Sequence, residues 1–195
     1  MKTHVLPAIK MTILTFVLFA ILYPLVVWGF AQLSPNHGNG FLIENNGKSY
    51  YENIGQQFTE NQYFWSRPSA VDYNAAGSGA SNKSGSNPEY IKEVEDRITH
   101  FMSQNPTVKR EQIPTEIVTA SGSGLDPHLS VKALEIQVPR IAKLRNIEET
   151  ELLRLIENHI ESPLLGFLGP EKVHVLELNI ALDKMAGKKG VEDVK

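Results

Sequence analysis

The sequence predicts a single N-terminal transmembrane helix followed by one α+β extracytoplasmic domain. Three observations carry this. Met11 to Phe30 (MTILTFVLFAILYPLVVWGF) is one unbroken apolar run without a charged residue. Basic residues flank only its N-terminal side. The rest of the chain mixes helical and strand periodicities between Gly-, Ser- and Pro-rich turns, and no second run of this kind follows.

The apolar run comes first. Twenty helical residues rise about 30 Å, the thickness of a bilayer's hydrocarbon core. Only Thr12, Thr15 and the Tyr23 and Trp28 rings interrupt it. Pro24 and Gly29 are tolerated in membrane helices, and no G-x-x-x-G occurs to mark a self-dimerising face. Lys2 and Lys10 precede the run, whereas the first Lys or Arg after it is Lys48. Positive charge stays cytoplasmic, so the N-terminus is placed inside and the long remainder outside. Gly29-Phe30-Ala31 offers the small residues that a signal peptidase reads. The run is nevertheless longer than a signal h-region of about 7–15 residues, which favours a retained anchor. The chain then divides into a cytoplasmic N-terminus (1–10), a transmembrane helix (11–31), a linker (32–40), an extracytoplasmic α+β domain (41–185) and a polar tail (186–195) expected to be disordered.

Composition narrows the function classes. All 22 Asp and Glu lie past the run, and of the 19 Lys and Arg only Lys2 and Lys10 precede it. The outer part is therefore acidic, which disfavours nucleic acid and anionic lipid as partners. The absence of cysteine removes disulfides, thiolate-ligated metals and thiol nucleophiles together. The domain must hold itself together by its core, which its length permits.

The elements of the domain follow in order. Ser34 to Gly40 (SPNHGNG) is a turn-rich exit from the membrane. Phe41 to Ser66 is mixed, and the stretch NQYFWSRPSA ends in Arg67-Pro68, an extended chain before a turn. Ala75 to Asn87 (AAGSGASNKSGSN) reads as a loop. Asn87-Pro88 starts a helix, Asn as N-cap and Pro at the first helical position. Ile91, Val94, Ile98 and Phe101 form its apolar stripe, and Asn105-Pro106 ends it. A second helix begins near Ser130 with Val131, Leu134, Val138 and Ile141 inward, kinked at Pro139. A third spans Glu148 to Ile160 and buries Leu152, Leu155, Ile156 and Ile160. Val173 to Leu178 (VHVLEL) is expected to be a strand.

The densest cluster of polar, turn-forming residues is Val118 to Ser130 (VTASGSGLDPHLS). Ser121, Ser123, Asp126 and His128 supply the residue types of a serine hydrolase. However, neither Ser has the flanking glycines of a nucleophile elbow, and a triad draws its members from distant segments. Gly122 and Gly124 before a helix could present N–H groups to an anion, but the loop has no Lys and the chain no Walker loop. The six histidines show no metal-ligand spacing, so no metal site is expected. The remaining reading is structural: Ser and Gly make a tight turn and Ser130 caps the next helix. Such a loop can also dock a partner. Tyr63-Phe64-Trp65 is either core or a docking patch, and Asn82-Lys83-Ser84 is a chance glycosylation match.

A family resemblance emerges from the order of motifs. LYPLV lies within the span, followed by IGQQF, NQYFWSRPSA, the Gly/Ser/Asn loop into SNPEY, VTASGSGLDPHLS, IQVPRIAKLRN and VHVLELNIALDKM. This resembles the C subunits of the Kdp-type high-affinity potassium-transporting ATPases of bacteria, from about Pro7 to Met185. Departures are small. The loop reads GSGASN, with Ala80 at a usual Gly and then Lys83, and Leu129-Ser130-Val131 replaces an Ile-Ser-Pro-like run.

The resemblance implies a non-catalytic accessory subunit of an ATP-driven potassium uptake complex in the bacterial inner membrane. Its implied partners are a channel-like potassium-binding subunit, a P-type ATPase subunit and a small single-span subunit, with lipid around the span. Potassium is the transported ion, and ATP serves the complex. The family subunit is described as a catalytic chaperone that raises the ATPase subunit's affinity for ATP. By that resemblance the candidate nucleotide or partner contacts are Ser121, Gly122, Ser123, Gly124, Asp126, His128 and Gln137. The candidate docking residues are Tyr63, Phe64, Arg67, Ser81, Asn82 and Asn87; no residue is assigned a catalytic role. The charge asymmetry of the span conflicts with direct nucleotide contact, because it places Ser121 and Gln137 outside, away from ATP. A tethered serine hydrolase on Ser123 and His128, and a free-standing anchored binding module, are the alternatives.

Overall fold

The computed structural model describes residues 2–192, with side chains described from His4 to Met185. Two compact units divide at Leu42 and Ile43. In the first unit, helix α1 (Lys2–Phe16) continues through a π-helical turn (Val17–Leu22) into α2 (Tyr23–Ala31). The widened turn lies directly before Pro24. Proline lacks an N–H, and its ring collides with the carbonyl four residues back, here Ala20, so the helix opens there. The Thr12 and Thr15 hydroxyls donate to the carbonyls of Ala8 and Met11, which pairs the only hydroxyls of the run's first half. His4–Ala31 is long and apolar enough to cross a membrane. It begins before Met11 because the flank carrying Lys10 stays helical. The linker is folded: Asn36 accepts from Ser34 Oγ and the Gly38 amide. Gly38 sits at φ +78°, where a Cβ would meet that of Ala31 at 2.9 Å.

The second unit opens with a hairpin that the sequence reading missed. Strands β1 (Leu42–Asn45) and β2 (Lys48–Tyr51) pair across Asn46-Gly47, both at positive φ. Asn-Gly is the preferred pair for such a turn. Residues 52–86 carry no helix or strand. Helix α3 (Pro88–Gln104) starts as expected: Asn87 Oδ1 accepts from the amides of Glu89 and Tyr90 at 2.8 and 3.3 Å. Its stripe is narrower than expected, since Phe101 is buried and Ile91 is 53 % exposed.

After the short helix α4 (Thr115–Val118), strand β3 (His128–Leu129) leads to α5 (Val131–Glu135), whose N-cap Ser130 accepts from the Ala133 amide. The expected kink at Pro139 is a full break: α5 stops, and α6 (Val138–Arg145) starts with Pro139 in its first turn. Asn146 closes α6 in the left-handed region. Helix α7 (Glu149–Glu157) buries Leu152, Leu155 and Ile156. Ile160 instead belongs to strand β4 (Ile160–Glu161). Strand β5 (Lys172–His174) is central in a three-stranded antiparallel sheet, pairing His174 with His128 and Val173 with both Leu129 and Ile160.

The expected strand Val173–Leu178 is corrected. Only residues up to His174 are extended, and α8 (Val175–Glu192) starts at once. Val175, Leu178 and Leu182 are buried at helical spacing and join Phe64, Phe101, Leu134, Ile141, Leu152 and Val173 in one core. Helix α8 runs to Glu192, into the tail expected to be disordered; residues 193–195 of that tail lie outside the described residues.

Candidate functional site

The Ser/Gly loop lies between α4 and β3, where its backbone is laced to the irregular chain of residues 52–79. Gly79 N donates to Ser123 O at 2.9 Å, Ser78 Oγ to the same carbonyl, and Ser69 Oγ to Gly124 O at 2.6 Å. Gly55 N donates to Leu125 O at 2.7 Å, and a Cβ at Gly55 would meet Asp126 O at 2.8 Å. Gly124 has φ +68°, and its Cβ would meet Val71 Cγ2 at 2.7 Å and Gly79 O at 2.9 Å. Gly122, by contrast, faces open space. Ser121 is buried, and Ser123 Oγ accepts from the Leu125 amide. These groups are used to hold two irregular segments together.

Past this brace the loop carries charge. Asp126 Oδ2 meets Arg67 Nη1 at 2.9 Å, and Asp126 Oδ1 accepts from the His128 amide at 3.0 Å, closing a turn around Pro127. The Asp126 carboxyl is held well below the usual range, at about 2. The His128 side chain is the largest cause; the His128 amide and Arg67 add to it, and partial burial opposes. His128 Nε2 lies 3.2 Å from Glu161 and 3.0 Å from Lys172 Nζ, which itself pairs with Glu161. The ring stands edge-on to buried His174, whose Nε2 meets the Glu52 carbonyl at 2.7 Å. No hydrogen bond joins Ser123 to His128 among the described residues, so the hydrolase alternative has no nucleophile–base pair.

Gln137 is at the other end of the site and is fully buried. Its Oε1 accepts from the Trp65 amide and from Arg140 Nη2, and its Nε2 donates to Ala133 O. Arg140 is buried beside it. Burial pushes its guanidinium down to about 10, so it remains a cation near neutral pH. All its acceptors are neutral oxygens: Asn105 Oδ1, Gln137 Oε1 and the carbonyls of Asn61 and Tyr63. The Trp65 ring covers it at 4.7 Å. Asn179 completes the clamp by bonding both the amide and the carbonyl of Phe64 at 2.9 Å. Gln137 and Arg140 at the start of α6 and Asn179 on α8 thus fasten residues 61–65 to the core. Sequence reasoning missed Arg140, Asn105 and Asn179. The signal was present as polar residues at inward helical positions.

The candidate docking residues are dispersed. Phe64 is core, and Asn87 is the cap of α3. Tyr63 lies under Arg145 and donates to Asp183 at 3.0 Å. Arg67 is paired with Asp126. Ser81 and Asn82 alone stand exposed on the loop before α3. Between the irregular segment 57–73 and α3 lies a cavity of about 430 Å³, lined in part by Trp65, Tyr73, Asp96, Arg97 and His100.

Comparison with known proteins identifies the framework. Residues 5–184 match the family model described as KdpC, the c chain of K+-transporting ATPase. A potassium-transporting ATPase KdpC subunit of Flavobacterium psychrophilum is 49 % identical, over 93 % of this chain and 98 % of its own. That of Bacteroides fragilis strain YCH46 is 45 % identical, over 96 % of this chain and 100 % of its own. That of Caldanaerobacter subterraneus subsp. tengcongensis is 46 % identical, over 89 % and 91 %. Near-full-length matches at this identity, on a chain with one membrane-length helix and an α/β domain, show that it belongs to the KdpC family, the c chain of the K+-transporting ATPase.

Proposed function

We propose that this chain is a non-catalytic accessory subunit of an ATP-driven high-affinity potassium uptake complex, needed for its assembly. The match to the c chain over residues 5–184 carries the reading. Its partners are a channel-like potassium-binding subunit, a P-type ATPase subunit that hydrolyses ATP, and a small single-span subunit. The α1–α2 helix crosses the cell membrane with Lys2 and Lys10 inside, and the domain stands outside.

The state of the Ser/Gly loop supports a structural role. A nucleoside triphosphate needs several cations or free N–H groups converging on its phosphates. The loop contains no Lys or Arg. Arg67 is held by Asp126, whose ionised carboxylate would repel phosphate. The Gly124 and Leu125 amides are bonded within the loop, and Gln137 is spent in the core. The residues present do not fit the triphosphate. Any rise in the ATPase subunit's nucleotide affinity then passes through protein contacts rather than through a shared nucleotide.

Removing the chain from the complex tests this. The expected result is loss of potassium-stimulated ATPase activity, with the purified chain alone hydrolysing no ATP. Full coupled transport by the remaining subunits would sink the proposal.

A further inference from the structure

Between β4 and β5 the chain turns back through Pro163–Pro170 (PLLGFLGP), nowhere charged. Leu164 is 70 % exposed, Leu165 75 %, Phe167 74 % and Leu168 51 %. Among the described residues of the same unit, the other large apolar side chains this exposed, Tyr51, Ile91 and Leu144, stand singly, whereas here they crowd one tip. A monomer rarely leaves such a cluster in water without use.

The tip is built rather than slack. Leu164 and Leu168 exchange backbone hydrogen bonds at 3.1 and 2.9 Å, and Gly166 N donates to Pro163 O at 2.8 Å. Gly166 and Gly169 take the left-handed region, at φ +81° and +103°. Leu165 shares it at φ +57°, an unfavourable place for a leucine, yet its side chain points to solvent and gains no internal packing. Strain without internal compensation is a mark of sites used in recognition.

Charge decides between lipid and protein as the occupant. The tip rises between Glu161 and Glu171, with no Arg among the flanking residues and Lys172 already paired to Glu161. Apolar elements that lie in a membrane surface carry basic residues to meet anionic lipid, and this base is acidic. A preformed apolar tip ringed by polar groups is instead the form of a protein–protein anchor.

We propose that Leu164–Leu168 is a preformed apolar knob that seats this domain in an apolar recess of another subunit of the complex. The proposal rests on the accessory-subunit reading and adds a contact to it. The chain has no cysteine, so Phe167→Cys accepts a single environment-sensitive fluorophore. In zwitterionic phosphatidylcholine vesicles holding the full chain alone, the label should emit as in water. In the assembled complex it should shift to the blue. Leu165→Asp with Phe167→Asp should lower the share of complex that retains the chain about tenfold, with an unchanged melting temperature of the chain. Asp tolerates the left-handed region better than Leu, so loss by misfolding is not expected.

A blue shift in vesicles without partners would assign the tip to lipid and overturn the proposal. Water-like emission in the complex, or full retention of the double variant, would also overturn it. If the double variant assembles fully while the complex lacking the chain is inactive, the knob fails and the accessory reading stands. The label also reads the seat independently of ATPase activity, so failure of the accessory reading is seen separately.

Discussion

Two glycines two positions apart behave oppositely, and the reason is atomic. Gly124 combines φ +68° with Val71 and Gly79 at less than 3 Å from a would-be Cβ, whereas Gly122 has nothing within 4 Å. Gly124→Ala is expected to cost about 1–3 kcal/mol, and Gly122→Ala less than about 0.5 kcal/mol. Thermal unfolding of the detergent-solubilised chain measures both. Asp126 adds a pH signature. Its folded value is about 2 against 3.8 unperturbed, so its contribution is complete above 3.8 and is lost as pH falls through about 2. Partial exposure reduces it to about 1–2 kcal/mol. The difference in melting temperature between the parent chain and Asp126→Asn should shrink over that interval; a constant difference down to pH 2 would refute the assignment. The sequence could bring Asp126 and His128 together because they are close along the chain. It could not show that Gln137 is buried, because Trp65, 72 residues away along the chain, meets it only after the fold forms.

At the scale of elements, cap chemistry carries over from sequence to structure most directly. Asn87-Pro88 marks the start of α3 by cap chemistry alone, and Ser130 does the same for α5. Val173–Leu178 misled because β-branched residues at its start suit a strand while Leu178 and Leu182 already keep helical spacing. Tertiary pairing with β3 and β4 sets the change of structure at His174. The β3–β5–β4 sheet could not be foreseen, since its strands are two or three residues long and stand on pairing. The Asn46-Gly47 hairpin could have been read from its turn. Ile91 fits the apolar stripe of α3 but lies at its exposed start, where nothing packs over it. Leu182→Ala is therefore expected to cost about 2–5 kcal/mol and Ile91→Ser less than about 0.5 kcal/mol. Chemical denaturation distinguishes them; equal costs would mean that the core is misplaced.

At the scale of the molecule, the opening helix and the braced loop make one argument. The family places the chain in a potassium-transporting ATPase. Lys2 and Lys10 at the N-terminal end of the helix, with no Lys or Arg after it until Lys48, are the basis of the orientation proposed above. The Ser/Gly loop, the cluster that most resembles a site in the sequence, is consumed in joining residues 52–79 to the core. Under the proposed orientation the domain faces away from ATP, and a phosphate cradle would serve no purpose there. This orientation is tested most directly by labelling Gly122→Cys, an exposed position with open space in a chain otherwise free of cysteine. A membrane-impermeant thiol reagent should label it in intact cells to the same extent as after lysis. Protection until lysis would place the loop on the side of ATP and contradict the account.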